Sequence, residues 1–235
     1  MFDASSIYYD VFYDYLDYQL AADNLKKIIT QFHPDAISLL DIACGSGRHL
    51  EKLKQDYDVV GLDINPALLK LAKIRCPDVL FCEADMLSFD LSRKFDVITC
   101  LFCSVAYVKS VDQLSITIGE MEKHLNVGGV LIIEPWLSPQ SYWPEHIAFE
   151  VSDRPEMKLV RMYSHELHEG RSLFNIHYLI GTSRGVTHFI EREELGLFSQ
   201  QEYEMAFQQA GLKVNYLDKG LFPNHKYGLF VGQKI

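Results

Sequence analysis

The sequence predicts a doubly wound, Rossmann-like α/β fold: a mostly parallel seven-stranded sheet with an antiparallel β insertion covering the active site. Three observations carry this. Up to Glu134, short apolar runs bounded by turn residues alternate with segments of helical spacing, the rhythm of a parallel sheet with crossover helices. After Glu134 the helical spacing disappears and extended runs follow one another across Glu169-Gly170 and Arg184-Gly185 turns. From Gln200 the alternation resumes.

In chain order, residues 7–31 contain a helical stretch rich in Tyr and Asp, with Ala21, Leu25, Ile28 and Ile29 at helical spacing and Pro34 closing it. Strands are expected at Ile37–Ala43, Asp58–Asp63, Val79–Ala84, Phe95–Cys100 and Val130–Glu134. Between them, Arg48 to Tyr57 has helical spacing, and Asn65 caps a helix that Pro66 opens and Arg75 ends. Ser110 and Gln113 form a capping box for a helix whose apolar face is Leu114, Ile118, Met121 and Leu125, stopped by Asn126 to Gly129. Lys158–His165, Leu173–Ile180 and Thr187–Glu191 read as antiparallel strands. Gln200–Ala210 is a helix ended by Gly211, and Leu212–Leu217 and Tyr227–Gln233 form an antiparallel pair at the sheet edge. The organisation is a core of residues 1–134 and 197–235 with a β-rich insertion at 135–196. That insertion builds the second wall of a pocket or the interface of a homodimer.

Composition bounds the function. Hydrophobic residues at 48% and aromatics at 12% describe a globular chain with a real core. A formal charge of −10 argues against a nucleic-acid partner, which needs clustered Lys and Arg, and favours a small or cationic substrate. No apolar run has the length of a membrane span, and the N-terminus shows neither the basic nor the apolar region of a signal peptide. Five cysteines without paired spacing point to a reducing, cytoplasmic location. Cys100-Leu-Phe-Cys103 closes a strand rather than opening a helix and has no second cysteine pair for zinc, so it reads as packing, and no metal site is expected.

The most informative segment is Leu39 to Gly47, Leu-Leu-Asp-Ile-Ala-Cys-Gly-Ser-Gly. An apolar strand enters a glycine loop at a helix N-terminus, with Asp41 four residues ahead of Gly45. A pyrophosphate wants no carboxylate there, and Leu50 stands where a dinucleotide site needs Gly or Ala. S-adenosylmethionine, with a sulfonium and an ammonium group, welcomes the acid. Ligands of such folds sit at the carboxyl ends of the strands. Asp63 ends the second strand, where its carboxylate suits both hydroxyls of a ribose. Asp85, after the third, suits an adenine amino group, with Met86 over the ring face. Ala43, Gly45, Ser46, Gly47, Ile64 and Leu101 complete the expected donor contacts.

Asp41 to Gly47, Gly61-Leu-Asp63, Ala84-Asp85-Met86 and Gly128-Gly129 resemble class I S-adenosylmethionine-dependent methyltransferases. Ser38 to Leu50, Phe102 to Tyr107, Gly129 to Trp136, His165 to Gly170, Gly185 to His188 and Gly228 to Gly232 resemble, more narrowly, the N,N-dimethyltransferases of nucleotide-linked amino sugars. The resemblance implies N-methylation of a primary amine on a small molecule. It places Tyr107 where that group has a Tyr or His near the reacting amine, and it gives Tyr18 a reach to the methionine carboxylate. Two departures stand out. The short N-terminus gives no clean match to the family's substrate-side tyrosine. The chain also has Lys226-Tyr227-Gly228-Leu-Phe where relatives carry Gly-Arg-Gly-Leu-Phe, which leaves Lys226 or His225 to meet a pyrophosphate.

Methyl transfer needs alignment, a dry pocket and a neutral amine. Tyr107 positions the amine or lines the pocket. Glu134 attracts the ammonium, accepts its proton or anchors a loop. Trp136 and Tyr227 are pocket walls, the Trp face suiting a cation. Two other functions fit less of the sequence. A small-molecule O-methyltransferase would need a base such as His124 or His177. A non-catalytic donor-binding subunit would have a blocked pocket.

Overall fold

Apolar side chains on both faces of the early strands require cover on both sides. In the computed structural model, which describes residues 4–223 and 227–235, they receive it. The large sheet has seven strands in the order β10-β11-β5-β4-β1-β2-β3, with β1 at Ser38–Ile42, β2 at Asp58–Asp63, β3 at Leu80–Glu83, β4 at Phe95–Cys100, β5 at Leu125–Ile133, β10 at Leu212–Leu217 and β11 at Leu229–Lys234. Leu39, Val97, Val130 and Ile132 face helices α2 (Tyr18–Phe32), α3 (Arg48–Leu53) and α4 (Pro66–Arg75). Leu40, Ile98, Leu131 and Ile133 face α5 (Val111–Lys123) and α6 (Gln200–Gln209). β1 pairs in parallel with both β2 and β4. The loops leaving β1 and β4 therefore part at the topological switch point, and the crevice between them is where such a sheet binds ligand.

A separate antiparallel sheet, β6-β7-β8-β9, joins Ile147–Asp153, Met157–His168, Arg171–Thr182 and Gly185–Gly196. Its inner face packs Leu159, Phe174, Ile176, Tyr178 and Leu195 on Phe12, Ala106 and Tyr142. The short helix α1 (Tyr9–Phe12) is thus held between the two sheets.

Several boundaries differ from expectation, each for a local reason. The N-terminal helical stretch is broken: after α1 the chain turns, and the Asp17 carboxylate caps α2 by accepting the Leu20 amide at 2.9 Å. The helix after the glycine loop ends at Leu53, where Asp56 and Tyr57 turn back to the Leu53 carbonyl. Asn126 to Gly129 do not stop a helix but belong to β5, which pairs with β4 from Leu125 across an irregular register. The insertion has a fourth strand, β6, and longer hairpins than the apolar runs indicate, because its outer face carries no clean alternation to mark strand ends. The last two strands are antiparallel to each other, but β11 lies inside the sheet against β5 and only β10 is at the edge.

Candidate active site

Backbone strain gathers at the two loops beside the switch point. Ala43, Gly45 and Gly47 after β1, and Phe102 and Cys103 after β4, all have positive φ. A Cβ on Gly45 would meet no atom, since the residue opens on a cavity, whereas a Cβ on Gly47 would come within 3.2 Å of the Ala72 side chain. Gly47 therefore also serves the close packing of α3 on α4.

Two adjoining cavities fill the crevice. One is lined by Leu62, Asp63, Ile64, Ala84, Asp85 and Met86, the expected adenosine side. The Asp63 carboxylate accepts the Gly45 and Asn65 amides, both at 2.8 Å, and burial raises its pKa against those bonds. The Ile64 amide adds a third bond; a carboxylate has roughly four acceptor positions, so about one remains for a ribose hydroxyl. Asp85 accepts the Leu87 amide at 2.9 Å through one oxygen. The second cavity is lined by Tyr18, Asp41, Ala43, Ser46, Arg48, His49 and Leu101. Asp41, 2% exposed, accepts the Thr99 hydroxyl at 2.7 Å, and burial pushes its carboxyl up to about 7. The Ser46 hydroxyl donates to Asp10 of α1, which leaves its oxygen only as an acceptor toward the cavity. The Arg48 guanidinium covers the Tyr18 ring at 4.5 Å.

A third cavity, about 280 Å³, lies beyond Tyr107 under the inner face of the insertion, lined among others by Tyr13, Trp136, Arg161, Glu193 and Tyr227. Tyr9 and Ser104 line all three cavities, so the three meet there. The Tyr107 hydroxyl donates to Glu193 at 3.2 Å. Arg161 forms a double bond-pair with Glu150, at 2.8 Å each, and donates to the Tyr13 hydroxyl at 3.0 Å. The Trp136 indole donates to Ser172 at 3.2 Å, and its ring lies 5.5 Å from that of Tyr227, so both form a wall.

Glu134 stands elsewhere. It is fully buried, accepts the Phe102 amide at 2.7 Å and is not among the residues lining these cavities. Of its expected roles, the geometry gives it the anchoring of the strained loop after β4. His225 and Lys226 lie outside the described residues. His124, stacked on Phe89 and accepting the Leu91 amide, and His177, beside His188 on the insertion's outer side, are both remote from the crevice.

Sequence reasoning missed three residues. Tyr9 sits in a short segment with no period to reveal it. Glu193 is one of three acids in Glu191-Arg-Glu-Glu194, and only the strand register shows which faces inward. His49 was visible in the Gly-Arg-His run. It is buried, lines the second cavity with no partner at either ring nitrogen, and burial, then the charge of Arg48, lowers its pKa to about 4, so it is a neutral ring there. The open side of Gly45, the unpartnered ring nitrogens of His49 and the Asp63 and Asp85 carboxylates on the adenosine side fit a methionine-bearing adenosine.

A methyltransferase-domain family model matches residues 39–129. The chain is 36% identical to the dTDP-3-amino-3,4,6-trideoxy-alpha-D-glucopyranose N,N-dimethyltransferase of Streptomyces venezuelae, over 95% of each chain. It is 38% identical to the dTDP-4-amino-2,3,4,6-tetradeoxy-D-glucose N,N-dimethyltransferase of Saccharopolyspora spinosa, over 92% of this chain and 86% of that one. Among solved structures it is similar to DesVI of Streptomyces venezuelae (TM-score 0.91, 33% identity, 97% of both chains). It is also similar to S-adenosylmethionine-bound CalS10, an amino pentose methyltransferase of Micromonospora echinaspora (TM-score 0.88, 29% identity, 100% of this chain and 98% of that one). The chain belongs to the S-adenosylmethionine-dependent methyltransferases, in the family of the N,N-dimethyltransferases of nucleotide-linked amino sugars. It is an N-methyltransferase, and S-adenosylmethionine is its methyl donor.

Proposed function

We propose that this enzyme N,N-dimethylates the primary amine of a nucleotide-linked amino sugar. The third cavity carries the reading. It meets the donor cavities at Tyr9 and Ser104, and its walls are aromatic faces of Tyr13, Trp136 and Tyr227, which suit the C–H faces of a sugar and the charge of its amine. Bound S-adenosylmethionine supplies a methyl group already activated for displacement. The protein's share is alignment and exclusion of water. Asp63 and Asp85 hold the adenosine side, Asp41, Tyr18, His49 and Ala43 the methionine side, and Tyr107 directs the amine at their junction. Arg161 is neutralised by Glu150, which leaves the diphosphate to other cations; the sequence carries Lys226 and His225 in the segment where relatives have an arginine. Incubation with the methyl donor and a panel of dTDP-linked 3-amino and 4-amino deoxyhexoses, followed by mass spectrometry, should show the gain of one and then two methyl groups on nitrogen. Methylation confined to hydroxyls would overturn the reading.

The same reading includes a homodimer, formed through the outer face of the insertion, and residence in the cytoplasm. All five cysteines are free thiols, which suits a reducing compartment. Among the described residues, no helix is long and apolar enough to cross a membrane.

A further inference from the structure

The acceptor amine is a problem for this chemistry. A primary alkyl amine is mostly an ammonium ion near pH 7, as Lys is, and an ammonium has no lone pair to attack with. Some group beside the acceptor must take its proton. Among the described residues, neither Glu134 nor any histidine lines the acceptor cavity. Glu193 does. It projects from the inner face of β9, opposite Phe174, and is 8% exposed. One oxygen, Oε2, accepts the Tyr107 hydroxyl at 3.2 Å, and the other, Oε1, has no hydrogen-bond partner. Among the described residues no cationic side chain is ion-paired with it. Arg161, the nearest candidate, is committed to Glu150 and Tyr13.

We propose that Glu193 is the enzyme's amine-recognising carboxylate and proton acceptor: Oε1 takes a hydrogen bond from the substrate ammonium and then its proton, beside the Tyr107 hydroxyl that lines both the donor and the acceptor cavity. This rests on the amine-methylating function proposed above. The step balances. One N–H bond breaks and an O–H bond forms on Glu193, which leaves the amine neutral. Its lone pair then makes the N–CH3 bond as the S–CH3 bond breaks and that electron pair stays on sulfur. The new secondary ammonium returns the site to its starting charge once Glu193 has released its proton to water, and the same cycle serves the second methyl group.

Burial raises the Glu193 carboxyl, which the Tyr107 bond partly offsets, so its basicity is drawn toward that of the amine it faces. Among the described residues, the charged and titratable side chains acting on it are Tyr107 from the loop after β4, Arg161 from β7, Tyr178 from β8, Tyr13 from the segment after α1, and Glu191 from its own strand. Burial, with the Glu193 charge, holds the Tyr107 hydroxyl far above its ordinary range, so it stays a neutral donor and orients the carboxylate without competing for the proton.

The test uses dTDP-3-amino-3,4,6-trideoxy-α-D-glucopyranose and its analogue with a hydroxyl in place of the amine. Glu193→Gln should lower kcat/KM about 100-fold at pH 7. It should also make kcat/KM climb about tenfold per pH unit below the amine's pKa, because only the neutral amine then binds productively, while the wild type stays flat there. With S-adenosylhomocysteine bound, wild type should prefer the amine over the hydroxyl analogue at least tenfold, and Glu193→Gln should lose that preference while keeping its S-adenosylhomocysteine affinity. Glu191→Gln, which removes a neighbouring charge bonded to Ser5, should behave as wild type. A measurement on wild type alone guards against a misfolded variant. Calorimetry of amine binding in buffers of different ionisation enthalpy should show no net proton release at pH 7, since the proton passes within the complex. Release of about one proton, or parallel pH profiles for wild type and Glu193→Gln, would overturn the role of Glu193 alone. A wild type that neither binds nor methylates any amine in the panel would overturn the amine-methylating function, and this inference with it.

Discussion

The Asp41 carboxyl is buried at the inner end of the donor cavity with a pKa of about 7, against an ordinary value near 3.9. The folded state therefore holds this proton more tightly than the unfolded chain does. The stability it contributes is complete below about pH 4 and is lost as pH rises through about 7. Asp41→Asn keeps an oxygen to accept the Thr99 hydroxyl and carries no charge to desolvate. The ligand-free variant should melt higher than wild type at pH 8 and the two should converge at pH 4, as thermal melts across that range would show; parallel curves would count against the assignment. The same variant should bind S-adenosylmethionine at least tenfold more weakly, since it lacks the charge facing the donor's cations. Asp63 works differently. Its two oxygens hold the amides of Gly45 and Asn65, so Asp63→Ala removes a ligand contact and releases the loop together. Calorimetry should show S-adenosylhomocysteine affinity falling well over tenfold, about 1.4 kcal/mol for each factor of ten. Tyr107→Phe should leave that affinity unchanged and slow turnover, a split that tells positioning of the amine from construction of the donor site.

At the scale of elements, α1 is a strap. Four residues long, it has no stability of its own. It is tied down by the Asp10 carboxylate, which takes the Ser46 hydroxyl and pairs with Arg75, and by Arg48, which donates to the Asp10 carbonyl at 3.1 Å. Asp10 is absent from the cavity linings, yet it locates Tyr9, where the three cavities meet. Asp10→Ala should therefore raise KM for both substrates several-fold and leave the melting temperature within about 3 °C of wild type, because partly exposed ion pairs contribute about 1 kcal/mol or less; a variant with wild-type KM values would remove the strap from the account. Nothing in the sequence announced this element. Its residues lack a helical period, and its partners are 36 to 65 positions away. Where local chemistry decides, the sequence was legible. The Asn65 and Ser110 side chains accept the amides expected of caps, although the Gln113 side chain takes the Lys109 amide instead of closing the capping box, and the alternation of strands with helices marks the parallel part of the sheet. Asp41, Asp63 and Asp85 were expected together because they stand in or just after successive strands, and all three line the crevice. Where distant pairing decides, it was not. The placement of β11 inside the sheet, the existence of β6, and the inward turn of Glu193 all depend on register, which a run of mixed residues does not reveal.

For the whole molecule, the outer face of the insertion poses the largest unanswered demand. Phe149, Val151, Met162, Leu179 and Ile190 are exposed there, on neighbouring strands at matching register, with Asp153, Lys158 and Arg192 toward the ends. A centre that is apolar apart from the His177–His188 pair, with a polar rim, has the make-up of an interface. Its size also fits. Strands of 12 residues in β7, β8 and β9 and of 7 in β6 cover roughly 700 Å² from the standard rise and strand spacing. A stable interface takes about 800 Å² from each partner. A second copy related by a two-fold axis meets this demand without another gene product, laying one apolar sheet face on its twin. The cavity behind the sheet gains from this: Arg161 and Glu193 project from the inner face of the same strands, so a braced sheet holds the acceptor wall still. Sedimentation of the wild type should give a dimer of the 27.0 kDa chain. Leu179→Glu should give a monomer that binds S-adenosylhomocysteine as before, since the donor cavities lie in the other sheet, but turns over the amine several-fold more slowly. A monomeric wild type, or a variant that dimerises unchanged, would free this face from the role of partner surface for its own copy.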